Sequence, residues 1–239
     1  MGYKAFILAA GFGTRLRPYT ETVPKPMVEV AGRSLIYRTL DKLRAVNIDY
    51  VVVNTHYLPD VMVQHLDEYV AQHNDIEIHV SHENTILDTG GGIVKALQHF
   101  GDEPFYVIAG DNLWEDGDLS ALTRLAQSWD DAKMDVLTLM QPVSNMVLTK
   151  GVGDYKFVDD AQVERSLDQL GTHMWTNIRL NHPRLYKDQK AEAFSFLPLM
   201  DGAQEQGRLC ALEHDGEWHH ISTPNDLETV DLQYKKASS

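Results

Sequence analysis

Residues 8–18 read LAAGFGTRLRP and begin within the first apolar run of the chain, residues 4–10. A short apolar run that ends at glycine is typical of a buried strand. In open α/β sheets, ligands bind at the loops that follow the carboxyl ends of the parallel strands. Gly11 and Gly13 lack side chains, so the backbone can approach a phosphate closely and present its N–H groups to it. The stretch therefore predicts a phosphate-binding loop after the first strand.

Basic side chains accompany this loop. Arg15 can bind phosphate oxygens with its planar guanidinium. The compact ammonium group of Lys25, on its flexible side chain, can move to stabilise negative charge as it develops. Two other classes of glycine loop fit less well, because the dinucleotide-binding fingerprint needs a third glycine and a P-loop ends in Gly-Lys-Ser/Thr. The sequence has neither feature in this stretch.

Apolar runs and amphipathic segments alternate through the first half of the chain. Ile36, Leu40 and Leu43 recur at spacings of four and three, as on one face of a helix. This alternation predicts a parallel sheet built from βαβ units. The predicted strands are 4–10, 50–54, 76–80 and 105–109, and the predicted helices are 34–46, 59–72 and 91–100.

From about residue 134 the strand-like segments become shorter and less regular, which predicts a mixed sheet. The sequence shows no internal repeat, low-complexity tract or linker, so we expect a single domain over residues 1–239. The predicted elements of this half are strands 134–140, 154–158, 173–180 and 208–213 and helices 194–205 and 224–236.

Charge and composition exclude several classes of partner. The formal net charge is -14, whereas nucleic acids and anionic membranes bind basic surfaces. The apolar runs are far shorter than the roughly 18 residues that a membrane span needs. The single cysteine, Cys210, and the lack of an export signal agree with a reducing compartment. We therefore expect a cytoplasmic protein, monomeric or a small homo-oligomer, without nucleic-acid or membrane partners.

Together with Pro24-Lys25-Pro26, residues 8–18 resemble the signature of sugar-1-phosphate nucleotidyltransferases, G-x-G-T-R-L-x-P followed by P-K-P. The resemblance implies an α/β three-layer sandwich with a mostly parallel central sheet, the GT-A-like (Rossmann-like) fold. It also implies a nucleotide-binding half, 1–115, and a sugar-phosphate-binding half, 116–239. Arg15 is then expected on the β- and γ-phosphates of an NTP, and Lys25 on the α-phosphate and the acceptor phosphate. The implied nucleotide-binding residues of this segment are Leu8, Ala10, Gly11, Gly13 and Thr14.

Residues 83–97, ENTILDTGGGIVKAL, are similar to the corresponding segment of N-acetylmuramate 1-phosphate uridylyltransferases. The similarity implies that Glu83 and the backbone of Thr89 and Gly90 read a pyrimidine edge, with UTP as the nucleotide and N-acetylmuramate 1-phosphate as the acceptor. Three successive glycines also allow a close approach before a helix whose N-terminus favours anions. A glycine-rich loop that only turns the chain into its helix is the alternative.

Asp111 follows strand 105–109 in the sequence Gly110-Asp111-Asn112 and should face the same crevice as Gly11. A carboxylate there suits Mg²⁺, and the family resemblance gives Asp111 that role. The alternative for Asp111 is a turn or helix-capping residue.

The second carboxylate of the family lies in W-x-D-x-G-T-P, where this chain has Trp218-His219-His220-Ile221-Ser222-Thr223-Pro224. His220 therefore stands at the position of a metal-binding aspartate. The family resemblance implies Mg²⁺ as the cofactor. Mn²⁺ is the alternative, because imidazole is a poorer ligand for Mg²⁺ than for Mn²⁺. His220 could instead be a histidine with no ligand role.

The sugar side is the least specific part of the resemblance. Lys150–Tyr155 is similar to the G-D-F segment of the muramate branch, and Thr176-Asn177 stands where those relatives usually carry a glycine. The expected substrate-binding residues are Asn112, Gly153, Asp154 and Asn177. Two alternatives stay open: a non-catalytic nucleotide-binding regulator, and a transferase for mannose, heptose or glucose 1-phosphate or phosphocholine.

Overall fold

The computed structural model describes residues 2–237. The strands, in chain order, are β1 (Ala5–Leu8), β2 (Glu29–Val30), β3 (Arg33–Ser34), β4 (Tyr50–Thr55), β5 (Glu77–His82), β6 (Phe105–Ala109), β7 (Leu113–Glu115), β8 (Val136–Pro142), β9 (Tyr155–Phe157), β10 (Val163–Arg165), β11 (His173–Asn181), β12 (Leu209–Glu213) and β13 (Glu217–His219). The helices are α1 (Leu35–Ala45), α2 (Pro59–Gln72), α3 (Asp88–Ala96), α4 (Ala121–Ser128), α5 (Leu197–Glu205) and α6 (Pro224–Ala237).

Nine strands form the central sheet, whose main path runs β10-β9-β11-β6-β1-β4-β5. Strand β1 is parallel to β4 and β6, and β4 is parallel to β5. The second half is mixed, because β11 runs antiparallel to both β6 and β8 while β12 is parallel to β8. The predicted change from parallel to mixed pairing is confirmed.

Helices cover both faces of the sheet. Successive side chains of a buried strand point to opposite faces, so both faces need helices packed against them. On one face, α1, α2 and α4 pack on Ile7, Val53 and Ile108. On the other face, α3 and α5 pack on Phe6 and Val107. The predicted three-layer α/β sandwich is thus confirmed.

A third, smaller core anchors the end of the chain. Leu227 and Val230 of α6 pack against Leu16 just after the glycine loop and against Leu113. The last helix therefore supports the loop from outside the main sheet.

Two parts of the secondary structure differ from the sequence prediction. Helix α3 begins at Asp88 rather than at 91, so Gly90, Gly91 and Gly92 form its first turns. Glycine is a poor helix former, but the Gly90 N–H donates to the Phe194 carbonyl at 2.9 Å, so a remote segment fixes this turn. Helix α4 and the short strands β2, β3, β7, β10 and β13 were not predicted, because such short elements carry little periodicity.

No helix within residues 2–237 combines the length and hydropathy that crossing a bilayer would need. The parallel register sets Leu8 of β1 beside Ala109 of β6, and Ile7 beside Val53 of β4. The carboxyl ends of these strands therefore lie together, and the segments that follow them form the candidate site.

Candidate active site

The glycine-loop cavity, with a volume of about 230 Å³, lies at the carboxyl ends of β1 and β6. Its walls include Leu8, Ala10, Gly11, Gly13 and Thr89, five of the predicted nucleotide-binding residues. The structure therefore brings the first glycine segment and the start of α3 to one concave surface, although they are far apart in the sequence.

The second cavity of the site, the histidine cavity, has a volume of about 250 Å³. Its walls include the predicted residues Arg15, Asn112, Asp154 and His220, together with Trp218. Arg15 thus lies on this side of the glycine loop and not in the wall of the glycine-loop cavity.

Four residues line both cavities: Lys25, Ala109, Asp111 and Asn177. These residues form the junction at which the two cavities meet. A phosphate that entered the junction from either side would lie beside the ammonium group of Lys25.

An ion pair occupies the junction. Lys25 Nζ lies 2.5 Å from Asp111 Oδ2, and the two side chains are 14% and 35% exposed. Burial by itself raises the pKa of Asp111, but contact with Lys25 outweighs it and the pKa is lowered from its usual value. Asp111 is therefore ionised at neutral pH, as a cation ligand must be.

Gly13 shapes the glycine loop. It has a φ of 62°, and its carbonyl accepts a hydrogen bond from Thr20 Oγ1 at 2.8 Å. A Cβ at this position would lie 3.0 Å from Lys25 Cβ. Both the left-handed backbone and the approach of Lys25 therefore require glycine here. A Cβ at Gly11 would meet no atom within 4 Å, so Gly11 keeps space open in the cavity instead.

Glu83 lies beneath the glycine-loop cavity and not in its wall. Its side chain is 1% exposed, Oε1 accepts from Asn54 Nδ2 at 2.7 Å, and Oε2 accepts from the Leu87 N–H at 2.8 Å. Asn54 Oδ1 in turn accepts from the Ala9 N–H at 2.6 Å. The carboxylate therefore ties the strand ends to the segment before α3, and this geometry supports a role in holding the site together.

Thr89 and Gly90 are also engaged within the chain. The Thr89 N–H donates to Asp88 Oδ1 at 2.6 Å, and Thr89 Oγ1 accepts from the Phe196 N–H at 2.9 Å. The Gly90 N–H donates to the Phe194 carbonyl, and Gly90 is buried outside both cavity walls. Thr89 faces the cavity, whereas Gly90 supports the turn behind it.

His220 lies in the histidine cavity. Its side-chain Nε2 lies 2.6 Å from Ser222 Oγ, and its backbone N–H donates to Thr149 Oγ1 at 3.0 Å. Burial and the charge of Lys25 lower the pKa of His220, while Asp111 opposes this shift. The imidazole is therefore neutral at neutral pH, the form in which histidine binds metals.

The donor set at the junction fits a cation that is completed by substrate. No group of three or more His, Cys, Asp or Glu side chains in residues 2–237 is arranged to hold a metal ion. Mg²⁺ is usually held by one or two carboxylates with substrate phosphates and water, and not by an all-protein cage. Asp111 supplies one such carboxylate, and His220 lies in the same cavity as a nitrogen donor.

Asn112 and Asn177 belong to one hydrogen-bonded chain across the histidine cavity. Trp218 Nε1 donates to Asn112 Oδ1 at 2.9 Å, and Asn112 Nδ2 donates to the Asn177 carbonyl at 3.5 Å. These two hydrogen bonds fix Asn112 between β13 and β11, and the residue is 4% exposed.

The remaining predicted residues take different places. Asp154 lines the histidine cavity, and its Oδ2 accepts from the Trp175 N–H at 3.2 Å. Gly153 lies behind it, where a Cβ would come within 1.9 Å of the Gly171 carbonyl oxygen. Thr14 starts a short 3-10 turn outside both cavity walls. Gly153 and Thr14 therefore shape the backbone next to the cavities.

Asn54 and Asp88 are among the wall residues that were not predicted as site residues from the sequence. Asn54 lines the glycine-loop cavity near the end of the apolar strand β4. A polar residue at that position is a sequence signal that indicates a site residue. Asp88 lines the glycine-loop cavity with a φ of 59°, and no sequence pattern shows that backbone conformation.

The site and the fold match a known family. The nucleotidyl transferase family profile matches residues 4–148, more than half of the chain. The chain belongs to the nucleotidyl transferase family. This nucleotidyl transferase is 33% identical to the N-acetylmuramate alpha-1-phosphate uridylyltransferase of Caulobacter vibrioides, over 92% of each chain.

Other relatives act on different substrates. The mannose-1-phosphate guanyltransferase of Aspergillus fumigatus is 30% identical over 97% of this chain and 64% of its own length. A UDP-glucose pyrophosphorylase from Acinetobacter baumanii has the same fold, with a TM-score of 0.79 and 15% identity over 98% of this chain and 93% of that one. The chain is a nucleotidyltransferase enzyme with the GT-A-like fold, and the family and relatives support a sugar 1-phosphate as acceptor.

Proposed function

We propose that the enzyme transfers a uridylyl group from UTP to N-acetylmuramate 1-phosphate, giving the UDP-sugar and pyrophosphate. The observation that carries the proposal is the junction, where Lys25, Asp111 and Asn177 line both cavities. A transfer between two phosphorylated substrates needs their phosphates to meet beside fixed positive charge, and the junction offers that arrangement. The C. vibrioides relative supports this pair of substrates.

The nucleotide would occupy the glycine-loop cavity. Backbone N–H groups from Ala10 to Gly13 would bind the phosphates, and Thr89 would face the base. Arg15, on the histidine-cavity side of the loop, would bind the β- and γ-phosphates where they extend past Gly13.

The acceptor would occupy the histidine cavity, beside Asn112, Asp154 and Asn177. An oxygen of its phosphate attacks the α-phosphorus of UTP, the bond from that phosphorus to the bridging oxygen breaks, and pyrophosphate leaves. Lys25 would stabilise the charge that develops on the transferring phosphate, because it lies at the junction. The reaction then depends on alignment and charge, with no covalent enzyme intermediate.

Asp111, with His220, would hold the divalent cation, Mg²⁺ or Mn²⁺. The bound cation supplies charge neutralisation for the phosphates. The ion pair between Lys25 and Asp111 sets the ammonium group beside the carboxylate that would hold the cation.

The two cavities draw residues from both of the halves that the resemblance implies, 1–115 and 116–239. Asn177 of the second half lines the glycine-loop cavity, and the first-half residues of the histidine cavity are Arg15, Lys25, Ala109, Asp111 and Asn112. We therefore propose that one nucleotidyltransferase domain over 1–239 contains both sites, with the junction shared between halves.

A second candidate is guanylyl transfer from GTP to mannose 1-phosphate. The A. fumigatus relative supports it, since it matches nearly the whole chain at 30% identity. The two candidates share the junction chemistry and differ in the base and the sugar.

A pyrophosphate-release assay with four NTPs and a panel of sugar 1-phosphates, in Mg²⁺ and Mn²⁺ separately, tests both candidates. Mass spectrometry of the product identifies the pair. UDP-N-acetylmuramate as the preferred product supports the proposal, and GDP-mannose supports the second candidate. Nucleotide binding without pyrophosphate release for any pair would instead identify a non-catalytic regulator.

A further inference from the structure

Arg179 on β11 is hydrogen-bonded to Asn177, one of the junction residues. We propose that Arg179 is a positioning residue that fixes the Asn177 side chain at the junction and so governs binding of the acceptor phosphate. The inference rests on the proposed transfer reaction for its kinetic consequence, but the contact between the two side chains stands independently of it.

Arg179 is fully buried, with an exposure of 0%. Its Nη1 donates to Asn177 Oδ1, and the Tyr186 hydroxyl also interacts with the guanidinium. Within residues 2–237, no carboxylate forms an ion pair with this guanidinium. A buried cation without a counter-ion is costly, so Arg179 is a poor choice for stability alone.

Aromatic rings hold the guanidinium in place. Its central carbon lies 4.0 Å from the ring centroid of Phe196 and 5.3 Å from that of Trp175. Such contacts favour a cation over a neutral side chain of similar size. Burial lowers the pKa of Arg179 to about 10, although the hydroxyls of Tyr186 and Tyr155 oppose the shift, so the group is charged at neutral pH.

The backbone at Asn177 needs support from a neighbour. Asn177 has a φ of 59°, and the register between β8 and β11 shifts between Trp175 and Arg179. Asparagine tolerates this left-handed conformation better than most residues, and an irregularity of this kind re-aims a side chain out of the ladder. Here Asn177 lines the junction, and its amide oxygen is bound by Arg179.

The direction of the Asn177 amide follows from this contact. Because Oδ1 accepts from Arg179, the amide group Nδ2 is left as the donor that can face the cavities. A donor is the group that an anionic acceptor phosphate would bind. The positive charge of Arg179, one side chain away, strengthens the attraction.

Kinetics of four variants test the proposal: Arg179→Met, Asn177→Ala, the double variant and Arg179→Lys. We expect Arg179→Met to raise the KM for the acceptor by at least about tenfold and to leave the KM for the NTP within about twofold. In the Asn177→Ala background, Arg179→Met should add less than about twofold, because the arginine acts through the asparagine. Arg179→Lys, which keeps a donor and a charge, should restore part of the affinity.

Arg165→Met is the matched control, since Arg165 lies on β10 and pairs with Asp201 at 2.8 Å. It should leave both KM values unchanged. Equal effects of Arg179→Met on the two KM values, or additive effects in the double variant, would overturn the proposal. The melting temperature of Arg179→Met should be unchanged or higher, because an apolar side chain replaces a buried cation, and a large fall with unchanged acceptor KM would show a structural role.

A crystal structure of ligand-free Arg179→Met, or of Arg179→Lys if the first variant fails to fold, separates this inference from the proposed function. An Asn177 amide that stays in place without the Arg179 contact would refute positioning, even if the wild-type enzyme made the expected product. A displaced amide would support positioning, even if no transferase activity were found.

Discussion

Lys25 Nζ and Asp111 Oδ2 lie 2.5 Å apart, although 86 positions separate the two residues in the sequence. The pair joins the segment after the glycine loop to the loop after β6. It places an ammonium group and a carboxylate at the junction of the two cavities, where each has a proposed role in the transfer. The sequence position of either residue alone does not place it at the junction, whereas the contact between the two side chains does.

Lys25→Ala and Arg15→Ala should each lower kcat by at least about tenfold, equivalent to ~1.4 kcal/mol of transition-state stabilisation. Both residues carry positive charge into the walls of the cavities where phosphates would bind. Pyrophosphate release under saturating substrates measures the effect. Lys156→Ala, which removes a lysine paired with Glu164 on the surface, is the control and should behave as the wild type. Normal rates in both variants would remove them from the catalytic machinery.

His220→Asp should raise activity with Mg²⁺ relative to Mn²⁺, by about tenfold if His220 contributes to cation binding. The reason is that a carboxylate is a better ligand for Mg²⁺ than an imidazole. Initial rates over a range of each metal concentration give the comparison. An unchanged ratio would show that His220 serves only to bind Ser222 and Thr149.

Gly13→Ala should lower both stability and nucleotide affinity, because φ is 62° and the new methyl group would contact Lys25 Cβ at 3.0 Å. A loss of about 1–2 kcal/mol in the free energy of unfolding is expected. Gly11→Ala has space for a methyl group in the ligand-free chain and should weaken nucleotide binding with little loss of stability.

Denaturant melts and nucleotide titrations separate the two effects. Gly202→Ala in helix α5 serves as the control, since a methyl group there has open space and should stabilise the helix by about 0.5–1 kcal/mol. Equal stability of the Gly11 and Gly13 variants would contradict the account of the loop.

Asp135→Asn should remove part of the acid sensitivity of the fold. Burial alone raises the pKa of Asp135, but the guanidinium groups of Arg208 and Arg184, each within 3 Å, hold the pKa below its usual value. A carboxyl with a lowered folded-state pKa stabilises the fold above the unfolded pKa of about 3.9 and loses that contribution as the pH falls through the folded-state pKa.

The variant should therefore melt at a lower temperature than the wild type at pH 7, and the gap should narrow below about pH 4. Thermal melts across this range check the prediction, with Asp160→Asn as an exposed control. A gap that stayed constant down to pH 2 would show that ionisation of Asp135 contributes nothing.

Much of the fold could be predicted because it rests on periodic patterns. The apolar runs that became β1, β4 and β6 and the amphipathic stripes of α1 and α2 need only local sequence to be recognised. The bounds of α3 could not be predicted, since its first turn of glycines is fixed by the Phe194 carbonyl, which lies in a remote segment.

The candidate site divides in the same way. The glycine loop and Asp111 could be placed on one edge of the sheet because parallel strands end together. The packing of Glu83 beneath the cavity depends on Asn54, and the proposed role of Asn177 depends on a register shift in β11 and on the buried Arg179.

The sequence by itself determined the layered α/β fold and the family, and it predicts phosphate binding by residues 8–18, because these follow from short-range spacing and residue chemistry. Only the tertiary structure decided which residues meet at the junction, since Lys25, Asp111 and Asn177 come from three separate segments. The physical reason is that the ladder pairing of the sheet, not proximity along the chain, sets the distances between side chains.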